Sequence, residues 1–115
     1  MFRLASVAGV DLNVVTKTTL CTVIAGKSCI ITHVVVRNPS INLTTAEFGF
    51  GFNANANDVI ASALHSALDG ATKYIVLKAA DGAVRGVAAD VFGIKCSVAQ
   101  GAEATATIEI FGYLF

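Results

Sequence analysis

The chain has no tryptophan, a single proline, two histidines and three cysteines in 115 residues, and only 14% of its side chains are charged. Each scarcity excludes something. Eight basic and eight acidic residues balance to zero, so no broad basic footprint exists to neutralise phosphates and nucleic acid is not an expected partner. Apolar stretches such as Ile30-Ile31 and Val34-Val35-Val36 are broken by Thr32, His33 and Arg37. A spanning helix needs about 20 apolar residues in a row, so no membrane partner is expected despite a mean hydropathy of +0.70. Cys21, Cys29 and Cys96 are odd in number and lack C-x-x-C spacing, which rules out a complete disulfide framework and a zinc knuckle. They read as buried free thiols, because free cysteine packs as a small apolar residue. The start, Met1 to Gly9, has one Arg and too short an apolar run for a secretory leader, and reads as mature chain.

What is present is apolar and β-rich. A hydrophobic share of 55% excludes a disordered tail, which needs low hydrophobicity and high net charge, and the length suits one domain over residues 1–115. Period-2 alternation is clearest from Thr44 to Asn53, where Phe48, Phe50 and Phe52 share one face and Gly49 and Gly51 the other. The glycines leave a smooth backbone that another segment can approach closely. Cys29 to Asn38 is rich in β-branched residues, with Ile30, Thr32, Val34 and Val36 opposing Ile31, His33, Val35 and Arg37. Both faces are largely apolar, as expected of a strand covered on two sides.

Leu20 to Ile24 and Cys29 to Asn38 flank a Gly-containing loop of hairpin length, which predicts that they pair as a β-hairpin with Cys21 facing Cys29. Pro39 ends the second strand and favours extended geometry at Asn38. Further strands are expected at Leu12 to Val15, Lys73 to Ala79, Val84 to Val87, Gly93 to Val98 and Glu103 to Phe115. In the last, Ala104, Ala106, Ile108, Ile110 and Leu114 oppose Thr105, Thr107, Glu109, Phe111, Tyr113 and Phe115. Asp58 to Leu68 instead follows a 3.6-residue period with Asp58 as an N-cap, which predicts one short helix. The sum is an all-β, single-domain, jelly-roll-like β-sandwich of about seven to eight strands.

The search for chemistry is mostly negative. Ala25-Gly26-Lys27-Ser28 has the tail of a phosphate loop, but Cys21 stands at the first glycine position and a strand follows. His33 and His65 lack further ligands at metal spacing, and Ser66 beside His65 points away from it on a helix. No catalytic set, metal or cofactor is expected, and the chain reads as a non-enzyme. Asn53, Asn55, Asn57 and Asp58 cluster in one loop. One carboxylate is weak for calcium and the EF-hand pattern is missing, so the loop reads as a solvated turn and as the best place to hydrogen-bond a sugar or a partner.

The run Leu20-Cys21-Thr22-Val23-Ile24-Ala25-Gly26-Lys27, followed by Val34-Val35-Val36-Arg37-Asn38, resembles the opening of small virion structural proteins of tailed bacteriophages and prophages. The closing Ala104-Thr105-Ala106-Thr107-Ile108-Glu109-Ile110-Phe111-Gly112-Tyr113-Leu114 is similar to their last strand. Ile24 departs from the residue, often Pro, that precedes Ala-Gly in that family, and the middle of the chain matches only in its strand rhythm. The resemblance implies a head decoration, fibre or tail-associated protein, located in a virion assembled in the bacterial cytoplasm. Its partners would be other virion proteins and copies of itself, with a homotrimer the expected assembly. Ile31, Val35, Phe111, Tyr113 and Phe115, apolar residues left over once one sandwich face is buried, are the expected oligomer contacts. The alternative function is a carbohydrate-binding β-sandwich acting through the Asn-rich loop.

Overall fold

Period-2 segments rich in β-branched and aromatic residues cannot bury both faces alone, and here they stack as two antiparallel sheets. The computed structural model describes residues 1–115 and contains β1 (Phe2–Asp11), β2 (Thr18–Thr22), β3 (Cys29–Arg37), β4 (Glu47–Gly51), β5 (Ile60–Leu64), β6 (Tyr74–Lys78), β7 (Val91–Val98) and β8 (Thr105–Leu114). The first sheet has the order β1-β8-β3-β6 and the second β2-β7-β4-β5. Most connections therefore cross from one sheet to the other, and the order is that of an eight-stranded jelly roll. The chain is all-β, as the alternation predicts.

The inner faces interdigitate into one core. Val34, Val36, Ile108 and Ile110 come from the first sheet, and Phe48, Phe50, Phe92 and Ile94 from the second, all essentially buried. Phe48 and Phe50 meet edge to face at 5.9 Å, and Phe50 stacks on Phe92 at 6.2 Å, separations at which aromatic pairs add to simple burial. Phe52 lies at the rim of this core, its ring 5.1 Å from that of Phe92. One buried polar group is fully used: Gln100 Oε1 accepts from the backbone N–H groups of Thr45 and Ala46, and Nε2 donates to the Asn42 carbonyl and Thr44 Oγ1. Gln100 thereby ties the β7–β8 connection to the entry of β4.

Several expectations from sequence are corrected. Segment 58–68 is not helical. Its centre is β5, the edge partner of β4, with Glu47 opposite Leu64 and Phe50 opposite Ile60. A short apolar run satisfies both periods, and the free edge of β4 supplies hydrogen bonds that a costly one-turn helix nucleus does not. Asp58 caps no helix, because its carboxylate reaches back to the N–H of Phe52 at 2.7 Å. Strands β2 and β3 form no hairpin, since β2 pairs with β7 in one sheet and β3 with β6 and β8 in the other. The Ala25-Gly26 loop is a corner between sheets. Leu12 to Val15 is loop after β1, and Val84 to Val87 contributes only the single bridge of Gly86 to Cys29. Asn38 is not extended: its φ of 54° is left-handed, a conformation that asparagine tolerates better than most residues.

Ile31 is the most instructive correction, because it sits in the core at 4% exposure and not on an outer face. Strand β3 pairs Ile31 with Gly112 and His33 with Phe111, leaving Thr32 as an extra bulged residue. The extra residue shifts the phase of the strand. Ile30 points out, Ile31 points in, and Val34 and Val36 point in again.

Candidate functional site

With the inner faces consumed by the core, anything the protein does must be done by the outer faces and the loops. On the first sheet, β3, β6 and β8 carry bulky outward residues. Met1, His33, Val35, Val76 and Phe111 line a shallow, mostly apolar groove of about 300 Å³. Cross-strand pairing puts them together, His33 beside Phe111 and Val35 beside Val76. Further along the same face, Tyr113 pairs with Ile30, and the two are 46% and 42% exposed. Phe115 is exposed too, although its backbone is held by two hydrogen bonds to Ser28. Of the five expected contact residues, Val35 and Phe111 lie half-buried in the groove, Tyr113 and Phe115 lie open beyond it, and Ile31 is not on this surface.

The other half of this face is ionic. Glu109 on β8 is flanked by Arg3 on β1 and Arg37 on β3, with contacts of 3.3 Å and 2.5 Å. The hydrogen bond from Arg37, reinforced by Arg3, holds the Glu109 carboxyl below its ordinary range despite its partial burial. Charge and apolar groove are thus side by side on one sheet.

The outer face of the second sheet is built from small residues. Strand β4 turns Phe48 and Phe50 inward, so Gly49 and Gly51 point outward. A Cβ on Gly49 would stand 2.6 Å from the Ile60 carbonyl and 2.7 Å from the Ser62 N–H, so only glycine lets β5 come this close. Because no side chain fills the middle, Ser62 on β5 and Ser97 on β7 meet across β4 with their hydroxyls 2.6 Å apart. Ser97 also donates to the Glu47 carbonyl. Lys95, opposite Gly49 on β7, donates to Asn55 Oδ1 at 3.3 Å. Asn55, Asn57, Ser62, Lys95 and Ser97 enclose a cavity of about 150 Å³ without an apolar side chain in its wall.

The Asn-rich loop divides into two roles. Asn55 and Asn57 reach the cavity. Asn53 and Asp58 shape the loop instead: Asn53 Nδ2 donates to Asn57 Oδ1, Asn53 Oδ1 accepts from the Asn57 N–H, and Asp58 Oδ1 accepts from Phe52 and Asn53. Sequence reading missed Ser62, Lys95 and Ser97. The signal was the Gly-Phe-Gly run itself, since an outward glycine in a central strand marks where neighbouring side chains converge.

The thiols are poor nucleophiles. Burial pushes Cys21 up to about 11, with Cys29 beside it adding to the effect. Cys96 is likewise pushed up by burial, then by Asp11, to about 11. Cys21 and Cys29 lie on different sheets yet line one small apolar cavity with Leu4 and Leu114, and all three cysteines are free. His65 packs on Phe48 with ring centroids 4.7 Å apart, and its burial lowers its pKa. No known protein-family model matches this chain, and no curated protein matches it.

Proposed function

We propose that the chain is a non-enzymatic structural protein of a phage or prophage particle, acting through self-assembly and the surface it presents. The observation that carries this reading is the apolar outer face of the first sheet, where Val35, Val76, Phe111, Ile30 and Tyr113 lie on neighbouring strands outside the core. Large contiguous apolar patches on small proteins mark contacts with other chains. Apolar area removed from water is worth roughly 25 cal/mol per Å², and a standard interface hides about 800 Å² on each partner. Capping this face with the same face, or another face, of a further copy would stabilise an assembly, and a homotrimer is the expected state. The likeness of the Val-x-Val-Arg-Asn strand and the Gly-Tyr-aliphatic end to small phage virion proteins supports the setting. Light scattering at micromolar concentration tests it, with about three times the 11.8 kDa chain mass expected. A mass equal to one chain overturns the assembly reading.

A second reading, a carbohydrate-binding module, is favoured by the polar cavity over Gly49. Its wall of two amides, two hydroxyls and one ammonium offers the directional hydrogen bonds that orient a hydroxylated ligand. Glycan-array binding that disappears in Asn57→Leu is the result expected on this reading.

A further inference from the structure

Counting donors and acceptors in that cavity gives its ligand a charge. Asn55 Oδ1 is occupied by Lys95, and Asn57 Oδ1 by Asn53 Nδ2. These bonds orient both amides, so the two Nδ2 groups, which donate to no protein atom, are the ones left for a ligand. Lys95 spends one N–H on Asn55 and forms no ion pair with any carboxylate of the chain. Asp58, the nearest acid in the sequence of the loop, is turned to the backbone of Phe52 and Asn53. The cavity therefore has up to six free N–H donors, one positive charge and no carboxylate among the residues that line it. Ser97 spends its one hydrogen on the Glu47 carbonyl and Ser62 then donates to Ser97, so the paired hydroxyls beside them are left as acceptors.

From this donor surplus we infer that the cavity binds an acidic saccharide, with Lys95 and the Asn55 and Asn57 amides holding the carboxylate and Ser62 and Ser97 meeting ring hydroxyls. The inference rests on the carbohydrate reading of the same site and narrows it. An ammonium beside an oxyanion makes the short, strong class of hydrogen bond, whereas a neutral sugar leaves the lysine charge without a counterpart. The cavity measures about 150 Å³ and is partly open to solvent. That opening lets a terminal residue of a glycan enter while the rest of the saccharide stays outside. Gly49 holds the wall in place, because a Cβ there would push against the β5 backbone at Ile60 and Ser62.

The test compares methyl β-glucuronide, methyl β-glucoside, sodium acetate and sodium sulfate by calorimetry and amide NMR on the full chain at fixed ionic strength. The glucuronide should bind at least about tenfold more tightly than the glucoside, the increment of one charge-assisted hydrogen bond. Its shifts should centre on residues 55, 57, 62, 95 and 97. Lys95→Met should reduce the glucuronide to the level of the glucoside, and Ser62→Ala, on the exposed edge strand, should weaken both sugars alike. If Lys95→Met does not fold, the affinity ratio and shift map of the parent protein decide the matter. Equal affinity for glucuronide and glucoside overturns the acidic preference and leaves the carbohydrate reading standing. Binding of neither sugar removes both. Acetate or sulfate binding as tightly as the glucuronide also overturns the inference, because the ring then contributes nothing.

Discussion

The two sheets are alike on their inner faces and opposite on their outer ones. Inward, each contributes alternating large apolar side chains to one core. Outward, the central strands β3 and β8 of the first sheet carry Val35 and Phe111, while the central strand β4 of the second carries Gly49 and Gly51. Bulky outward residues fill the space above the first sheet and make a broad apolar surface suited to another chain. Glycines empty the space above the second, and the flanking strands lean polar side chains over it. The same pleat and twist thus yield a contact surface on one side and a small polar cavity on the other, decided by a few alternate positions.

Breaking the shared core should have the largest effect. Phe50 is fully buried between Phe48 and Phe92, and Phe50→Ala should lower stability by roughly 3–5 kcal/mol, a large part of the 5–15 kcal/mol typical of a domain. Urea unfolding measures this, and a loss under about 1 kcal/mol would contradict the inward face of β4. The outward face of the same strand comes next. Gly49→Val should destabilise by about 1–3 kcal/mol through overpacking against Ile60 and Ser62, and should abolish binding in the cavity. The first sheet should respond in the reverse sense. Val76 and Tyr113 are 54% and 46% exposed, so Val76→Ser with Tyr113→Ser should change subunit stability by no more than about 1 kcal/mol. Assembly mass should nevertheless fall, and an unchanged mass would place the contact elsewhere.

Which parts of this contrast were legible in the sequence follows from how local their causes are. The inward phenylalanines and outward glycines of β4, and the two faces of β8, are written in strict alternation and needed no partner to be read. Alternation alone puts Ile31 on the wrong face because the bulge at Thr32 is fixed by pairing with β8, where Gly112 stands opposite Ile31. A Cβ on Gly112 would collide with the Ile30 carbonyl, so that glycine is what permits the close approach. The edge strand β5 is ambiguous in sequence because Ile60-Ala61-Ser62-Ala63-Leu64 suits either period until β4 offers its edge. The cavity was half visible. Asn55 and Asn57 stand in an obvious polar loop, but Ser62, Lys95 and Ser97 join them only through a sheet order that brings β5 and β7 to either side of β4. The ion cluster of Arg3, Arg37 and Glu109 spans three strands distant in sequence and gave no local signal.

That cluster provides the smallest and most specific difference between the two faces. Glu109 is held below its ordinary pKa of 4.5, first by the hydrogen bond from Arg37 and then by Arg3. A carboxyl whose folded pKa is depressed contributes stability above its unfolded value and loses that contribution as pH falls through the folded one. The Arg37 and Arg3 side chains are 40% and 56% exposed, so solvent screening limits the contribution to a few tenths of a kcal/mol, up to about 1. Glu109→Gln should therefore be slightly less stable than the parent at neutral pH, and the gap should close as the pH falls below 4.5. His65 also titrates on the acid side, since burial lowers its pKa from 6.5, but it belongs to both proteins and cancels in the comparison. The gap should shrink in high salt as well. A difference between parent and variant that is independent of pH would mean that Glu109 acts on the outer face of the first sheet by packing and not by charge.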